Sequence, residues 1–143
     1  MIYKNLSSLF WNKGLVITPS NKKFLNKKNI RKIKDLFKKY GCILFRNFEF
    51  SPENYKKFTE NFTITYANDT SDTQRRKKTS FGKNVREVDA GNKKMSLHSE
   101  ASFSPSWPEI VWFYCKEAPL YKGETTICDG IKLWDSLTYK TKN

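Results

Sequence analysis

The sequence predicts an α+β fold in which helices come first and a run of short strands follows, stopping before its sheet is complete. Three observations carry this reading. Residues 26–62 hold two segments with helical spacing of apolar residues and recognisable ends, and from Met95 onward β-rich runs alternate with Pro and Gly signals. The third is a hydrophobic content of 38%, with 15% aromatics, which gives 143 residues enough apolar side chain for one core.

Leu15 to Thr18 is a short, β-branched, extended piece. The segment "NKKNIRKIKDLFKKYG" places Ile30, Ile33, Phe37 and Tyr40 on one helical stripe, fills the remaining positions mostly with lysine and ends on Gly41, a glycine stop. Its lysines read as a solvated face. "CILFRNF" is an apolar run with β-branched and aromatic members, predicted to be a buried strand. In "SPENYKKFTENF", Ser51 is the N-cap, Pro52 opens the first turn, Glu53 faces the positive end of the dipole, and Tyr55, Phe58 and Phe62 share a face. Residues 63–94 turn polar and aperiodic, a loop whose length points to function or mobility. "MSLHSE", "EIVWFYC" and "ETTICD" then read as strands, and "GIKLWDSL" as the start of a helix with Leu133, Trp134 and Leu137 on its apolar side. Residues 1–143 form a single, incomplete domain without internal repeats.

Composition narrows the function classes. The formal net charge is +13, which on its face suggests an anionic partner. The charge is nearly all lysine, however, scattered from Lys4 to Lys142, and Arg75–Arg76 is the only adjacent arginine pair. A nucleic-acid partner is therefore the least expected of the readings below. Cys42, Cys115 and Cys128 are odd in number and widely spaced, which argues against a disulfide framework and for a reducing, cytoplasmic setting. At the N-terminus Asn12 and Lys13 interrupt the apolar residues before a signal peptide or membrane span builds up, so no membrane partner is expected.

The chemistry concentrates at His98, the only histidine in the chain, with Glu100 two residues on. In a strand these side chains point to one face. An imidazole and a carboxylate so placed can hold one metal ion and are the ligand types of non-haem Fe(II) sites. A lone histidine also suits a hydrogen-bonded structural role, and spacing by itself does not separate the two.

The order of motifs adds to this. "GCILFRNF", a polar loop, and "LHSEASFSPSWPEIVWFYCKEAPLYKGETTICDG" resemble the taurine dioxygenase (TauD/TfdA) family of Fe(II)- and 2-oxoglutarate-dependent oxygenases over roughly residues 40 to 137. The His-x-Glu form resembles its clavaminate synthase-like branch. The resemblance implies a double-stranded β-helix, or jelly roll, here partial and preceded by helices. It implies that His98 and Glu100 are metal ligands and that Thr125 in "GET" helps bind the distal carboxylate of 2-oxoglutarate. Fe(II), 2-oxoglutarate and molecular oxygen would be the cofactor and cosubstrates, with hydroxylation rather than halogenation favoured by the carboxylate at position 100. Pro108, Trp112, Phe113 and Tyr114 match the family's proline and aromatic strand, where core packing is the simpler role.

The family pattern also needs a second histidine and an arginine downstream, and no histidine or arginine follows Glu100. Lys122 stands where the family usually has a glycine. The chain thus resembles an N-terminal half, inert or nearly so by itself, whose missing half was lost, is encoded as a downstream complementing polypeptide or continues the same reading frame. Its substrate would be a small, amino-acid-like or anionic molecule, with Arg75, Arg76 and Arg86 as candidate contacts or else as solvated loop charges. The alternatives are a non-catalytic remnant or regulatory domain of the fold and, last, a basic nucleic-acid-binding protein.

Overall fold

The computed structural model describes residues 2–5, 14–20, 26–66, 85–88, 95–105 and 107–142. Its centre is a three-stranded sheet in the order β1-β2-β3, built from Ile2–Asn5 (β1), Leu15–Thr18 (β2) and Ile43–Phe45 (β3). β1 pairs antiparallel with β2, Ile2 opposite Thr18. β2 pairs parallel with β3, Leu15 opposite Ile43. A parallel pair needs a crossover, and α1 (Lys27–Tyr40) supplies it. β1 carries no apolar alternation long enough to be read from sequence. It is legible only through its pairing.

Local signals define both early helices. The Asn26 side chain accepts a hydrogen bond from the Asn29 N–H at 2.9 Å and caps α1, which closes at Gly41 with φ +71 and its N–H donated to the Phe37 carbonyl at 2.8 Å. α2 (Pro52–Glu60) starts at the predicted cap, where the Ser51 hydroxyl accepts from the Asn54 N–H at 3.2 Å. The Glu53 carboxyl sits below its usual range because its own backbone N–H and the Ser51 hydroxyl hydrogen-bond to the charged form.

Strand alternation turns Leu15 and Ile17 to the same side, where they meet Ile33 of α1 and Phe58 of α2 in one buried cluster. Phe45, Phe48, Phe50, Phe62 and Trp112 close around it. The run 42–48 was expected to be a buried strand. Only Ile43–Phe45 is strand, and these residues are half-buried, because β3 lies at the edge of the sheet.

The later strands are a larger correction. Residues 95–100, 109–115 and 124–129 contain no strand, and from 105 to 128 no backbone-to-backbone hydrogen bond forms among the described residues. A strand exists only through a ladder, and among the described residues no neighbouring strand lies beside these segments. The pleat nevertheless leaves its mark on 110–115: Ile110 and Trp112 are half-buried and Tyr114, though exposed, packs inward, while Val111, Phe113 and Cys115 face solvent. The Trp112 ring meets Phe58 and Phe62 at 5.7 and 5.2 Å. Tyr114 packs on Tyr55 at 4.9 Å and donates its hydroxyl to the Phe50 carbonyl at 2.7 Å. Packing on α2 thus accounts for Trp112 and Tyr114. Phe113, 64% exposed, has no such role.

The predicted last helix is present as α3 (Gly130–Ser136), capped by the Asp129 carboxylate, and a one-turn α4 (Tyr139–Lys142) follows it. The loop 63–94 lies largely outside the described residues, which include only 63–66 and 85–88 of it. No helix among the described residues is long and apolar enough to cross a membrane. The three cysteines are free.

Candidate metal centre

His98 and Glu100 come together without a strand. The segment from Met95 is irregular up to a turn at 100–103, in which the Ser104 N–H bonds the Ala101 carbonyl at 2.9 Å. Ala101 adopts φ +51, a left-handed conformation unusual for a residue with a Cβ, directly after the candidate ligand Glu100. On the near side of this turn His98 Nε2 lies 4.0 Å from Glu100 Oε2, with the two side chains 51% and 41% exposed. Both groups are therefore reachable by a ligand from solvent.

The other imidazole nitrogen fixes the chemistry of the first. His98 Nδ1 lies 2.8 Å from the Ser96 carbonyl oxygen. A carbonyl only accepts, so the proton sits on Nδ1, and in the neutral ring Nε2 carries the free lone pair. Metal-bound histidines are held in this way, through a second nitrogen bonded to a carbonyl or carboxylate. Nothing in the sequence marks Ser96 for this role, because the acceptor is its main chain.

Two cis ligands, each about 2.1 Å from an octahedral metal, stand about 3 Å apart. The His98–Glu100 separation of 4.0 Å is about 1 Å wider, within reach of a side-chain rotation on an exposed turn. The pair thus fits two protein positions of a divalent ion. Among the described residues no group of three His, Cys, Asp or Glu side chains is placed to hold a metal, so a third ligand is not supplied there.

The remaining candidates sit apart. Thr125 is exposed in the irregular stretch after Gly123 and makes no hydrogen bond to His98 or Glu100. The turn before it explains two residues: Lys122 and Gly123 both take positive φ, +60 and +86, and a Cβ on Gly123 would collide with the Pro119 ring. Lys122 therefore occupies a conformation that glycine adopts without strain, at the position where a glycine was expected. Arg86 is half-buried, with one guanidinium nitrogen screened from solvent, and so is not a freely solvated loop charge. Arg75 and Arg76 lie outside the described residues. Burial pushes the Cys42 thiol upward and so lowers its thiolate fraction.

Compared with known protein families, residues 5–143 match the family described as taurine catabolism dioxygenase TauD, TfdA family. No curated protein and no solved structure matches the chain.

Proposed function

Because the chain belongs to the TauD, TfdA family, we propose that it is the N-terminal part of an Fe(II)- and 2-oxoglutarate-dependent dioxygenase in which His98 and Glu100 are metal ligands. Members of this family generally use Fe(II), 2-oxoglutarate and molecular oxygen. The observation that carries the residue assignment is the approach of His98 Nε2 to Glu100 Oε2, with Nδ1 held by the Ser96 carbonyl. When bound, Fe(II) supplies the activation of dioxygen needed to hydroxylate an unactivated carbon.

The chain's own residues divide the remaining work. His98 offers a neutral lone pair from a ring held in one tautomer, and Glu100 offers an anionic oxygen that offsets the ion's charge. Their exposure leaves room for a small, amino-acid-like substrate and for the cosubstrate. Thr125 would donate its hydroxyl to the distal carboxylate of 2-oxoglutarate, and Arg86 would be the candidate cation for an anionic substrate among the three arginines named above. Residues 1–143 hold no second histidine and no arginine after Arg86, so a third ligand and an arginine for the cosubstrate would have to be supplied from outside these residues. On this reading residues 1–143 by themselves would turn over no substrate.

The test is anaerobic Fe(II) binding by equilibrium dialysis to the full chain, His98→Ala and Glu100→Gln. One weakly held ion is expected, with affinity at least roughly tenfold lower in each variant. Equal binding by all three proteins would remove the assignment. The lack of a three-donor group among the described residues favours a second reading, a non-catalytic remnant of the fold. Failure of 2-oxoglutarate to bind the iron-loaded chain, even with a polypeptide carrying a histidine and an arginine, would leave that reading standing.

A further inference from the structure

The charge of the chain is lopsided in a way that its lysine scatter conceals. Residues 1–94 carry 22 Lys and Arg against 8 Asp and Glu, a net +14, and residues 95–143 carry 5 against 6, a net −1. Within the positive part α1 is the densest element: Lys27, Lys28, Arg31, Lys32, Lys34, Lys38 and Lys39 against a single acid, Asp35, in 14 residues.

Helical geometry sorts these cations. At about 100° per residue, positions 27, 31, 34 and 38 fall within an arc of about 60°, and Asp35, about 40° from Arg31, lies on the adjoining arc with Lys28, Lys32 and Lys39. All four residues of the first row are exposed. The apolar residues Ile30, Ile33, Leu36 and Tyr40 are turned to the core, so the cationic row runs along the outside of a packed helix over a rise of about 16 Å. No ion pair neutralises any of the four among the described residues. Lys34 is steadied with its ammonium 5.6 Å from the Phe62 ring, beside a groove of about 350 Å³ lined by Asn26, Lys27, Ile30, Arg31, Lys34 and Asn61.

Lys27 also stands in the first turn of α1, where no acidic residue is present and where the dipole disfavours a cation. A like-signed row kept at a small cost in helix stability is what an anionic partner would repay. We propose that the row Lys27–Arg31–Lys34–Lys38 seats one phosphodiester strand of a nucleic acid, without reading its bases. A single strand carries one negative charge per nucleotide, so the four cations of the row can each meet a phosphate along a short stretch of its backbone. A membrane surface fits less well, because an interfacial helix buries its apolar face in lipid and that face of α1 is already committed to the core. The expectation from sequence ranked nucleic acid last and read these lysines as a solvated face; the helix sets four cations in one line along that face.

The proposal is independent of the oxygenase reading, and its test needs no iron. Binding of the full chain to a fluorescently labelled, mixed-sequence single strand is followed by anisotropy at several salt concentrations. Four phosphate contacts predict that log K falls against log salt with a slope of about −2.8. Lys27→Gln, Arg31→Gln, Lys34→Gln and Lys38→Gln together are expected to flatten that slope and weaken binding at low salt by roughly tenfold or more. The double variant Arg31→Gln, Lys34→Gln is expected to lower the slope by about 1.4 and serves if the quadruple variant does not fold. A control removes the same charge elsewhere, at Lys28, Lys32, Lys39 and Lys57, and is expected to keep most of the binding. Equal loss in the control would reduce the effect to net charge and overturn the proposal. Preference for phosphatidylserine vesicles or for polyglutamate over the nucleic acid would also overturn it.

Discussion

Replacing Phe58 by alanine should remove most of the folding free energy of this chain. Phe58 is 2% exposed and stands among four aromatic rings, with centroids at 5.2 Å for Phe45, 5.4 Å for Phe50, 5.1 Å for Phe62 and 5.7 Å for Trp112. Truncating a buried phenylalanine costs about 3–5 kcal/mol in lost transfer free energy plus the cavity left behind. The ring pairs, each worth about 0.5–1.5 kcal/mol, push toward the top of that range. Partial collapse of half-buried neighbours pulls the other way, which leaves about 3–4 kcal/mol. Domains of this size have about 5–15 kcal/mol in all, and among the described residues only Leu15, Ile17, Ile33 and Phe58 are fully buried hydrophobics, so the total belongs at the low end. Urea unfolding followed by far-UV circular dichroism, with the slope compared between proteins, gives the difference. Phe48→Ala, at a half-buried ring on the rim, should cost about half as much or less. A loss below about 1 kcal/mol at Phe58, or equal losses at the two sites, would refute the placing of the core at this ring.

Gly41→Ala should cost about 1–2 kcal/mol in thermal unfolding. The residue sits at φ +71 with open space around an added Cβ, so the cost is conformational and not a clash. Burial, with a smaller contribution from Tyr66, pushes the Tyr55 phenol from an ordinary 10.0 to about 12. The neutral form is thus the one favoured by folding, and its stabilisation is complete below pH 10 and lost as pH rises through about 12. A spectroscopic tyrosinate titration should show one late step that Tyr55→Phe removes. A late step that persists in the variant would place the shifted phenol elsewhere.

The helices were legible because their signals are local. Ser51, Pro52 and Glu53 announce the start of α2, and Gly41 announces the end of α1, within a few residues of the features themselves. The strands after Met95 were not, since an apolar, β-branched run states a preference and only a neighbour supplies the ladder. "EIVWFYC" keeps the alternation of a strand, and that alternation sends Trp112 and Tyr114 onto α2, but the hydrogen bonds that would make it β are absent among the described residues. The proximity of His98 and Glu100 could be read from their spacing, though a turn with a left-handed Ala101 delivers it in place of a strand. The tautomer of His98 could not, because a backbone carbonyl decides it.

Ile110 to Cys115 is a run of six residues with no charge, proline or glycine and no ladder of its own among the described residues. Segments of that composition stack into cross-β fibrils when an edge is open, and here only Glu109 and Lys116 stand guard at the ends. A concentrated solution of the chain alone should therefore be limited by fibril growth before it is limited by unfolding. Neutralising Glu109 or Lys116 should shorten the lag before fibrils appear, and covering the edge with any strand that pairs there should abolish it.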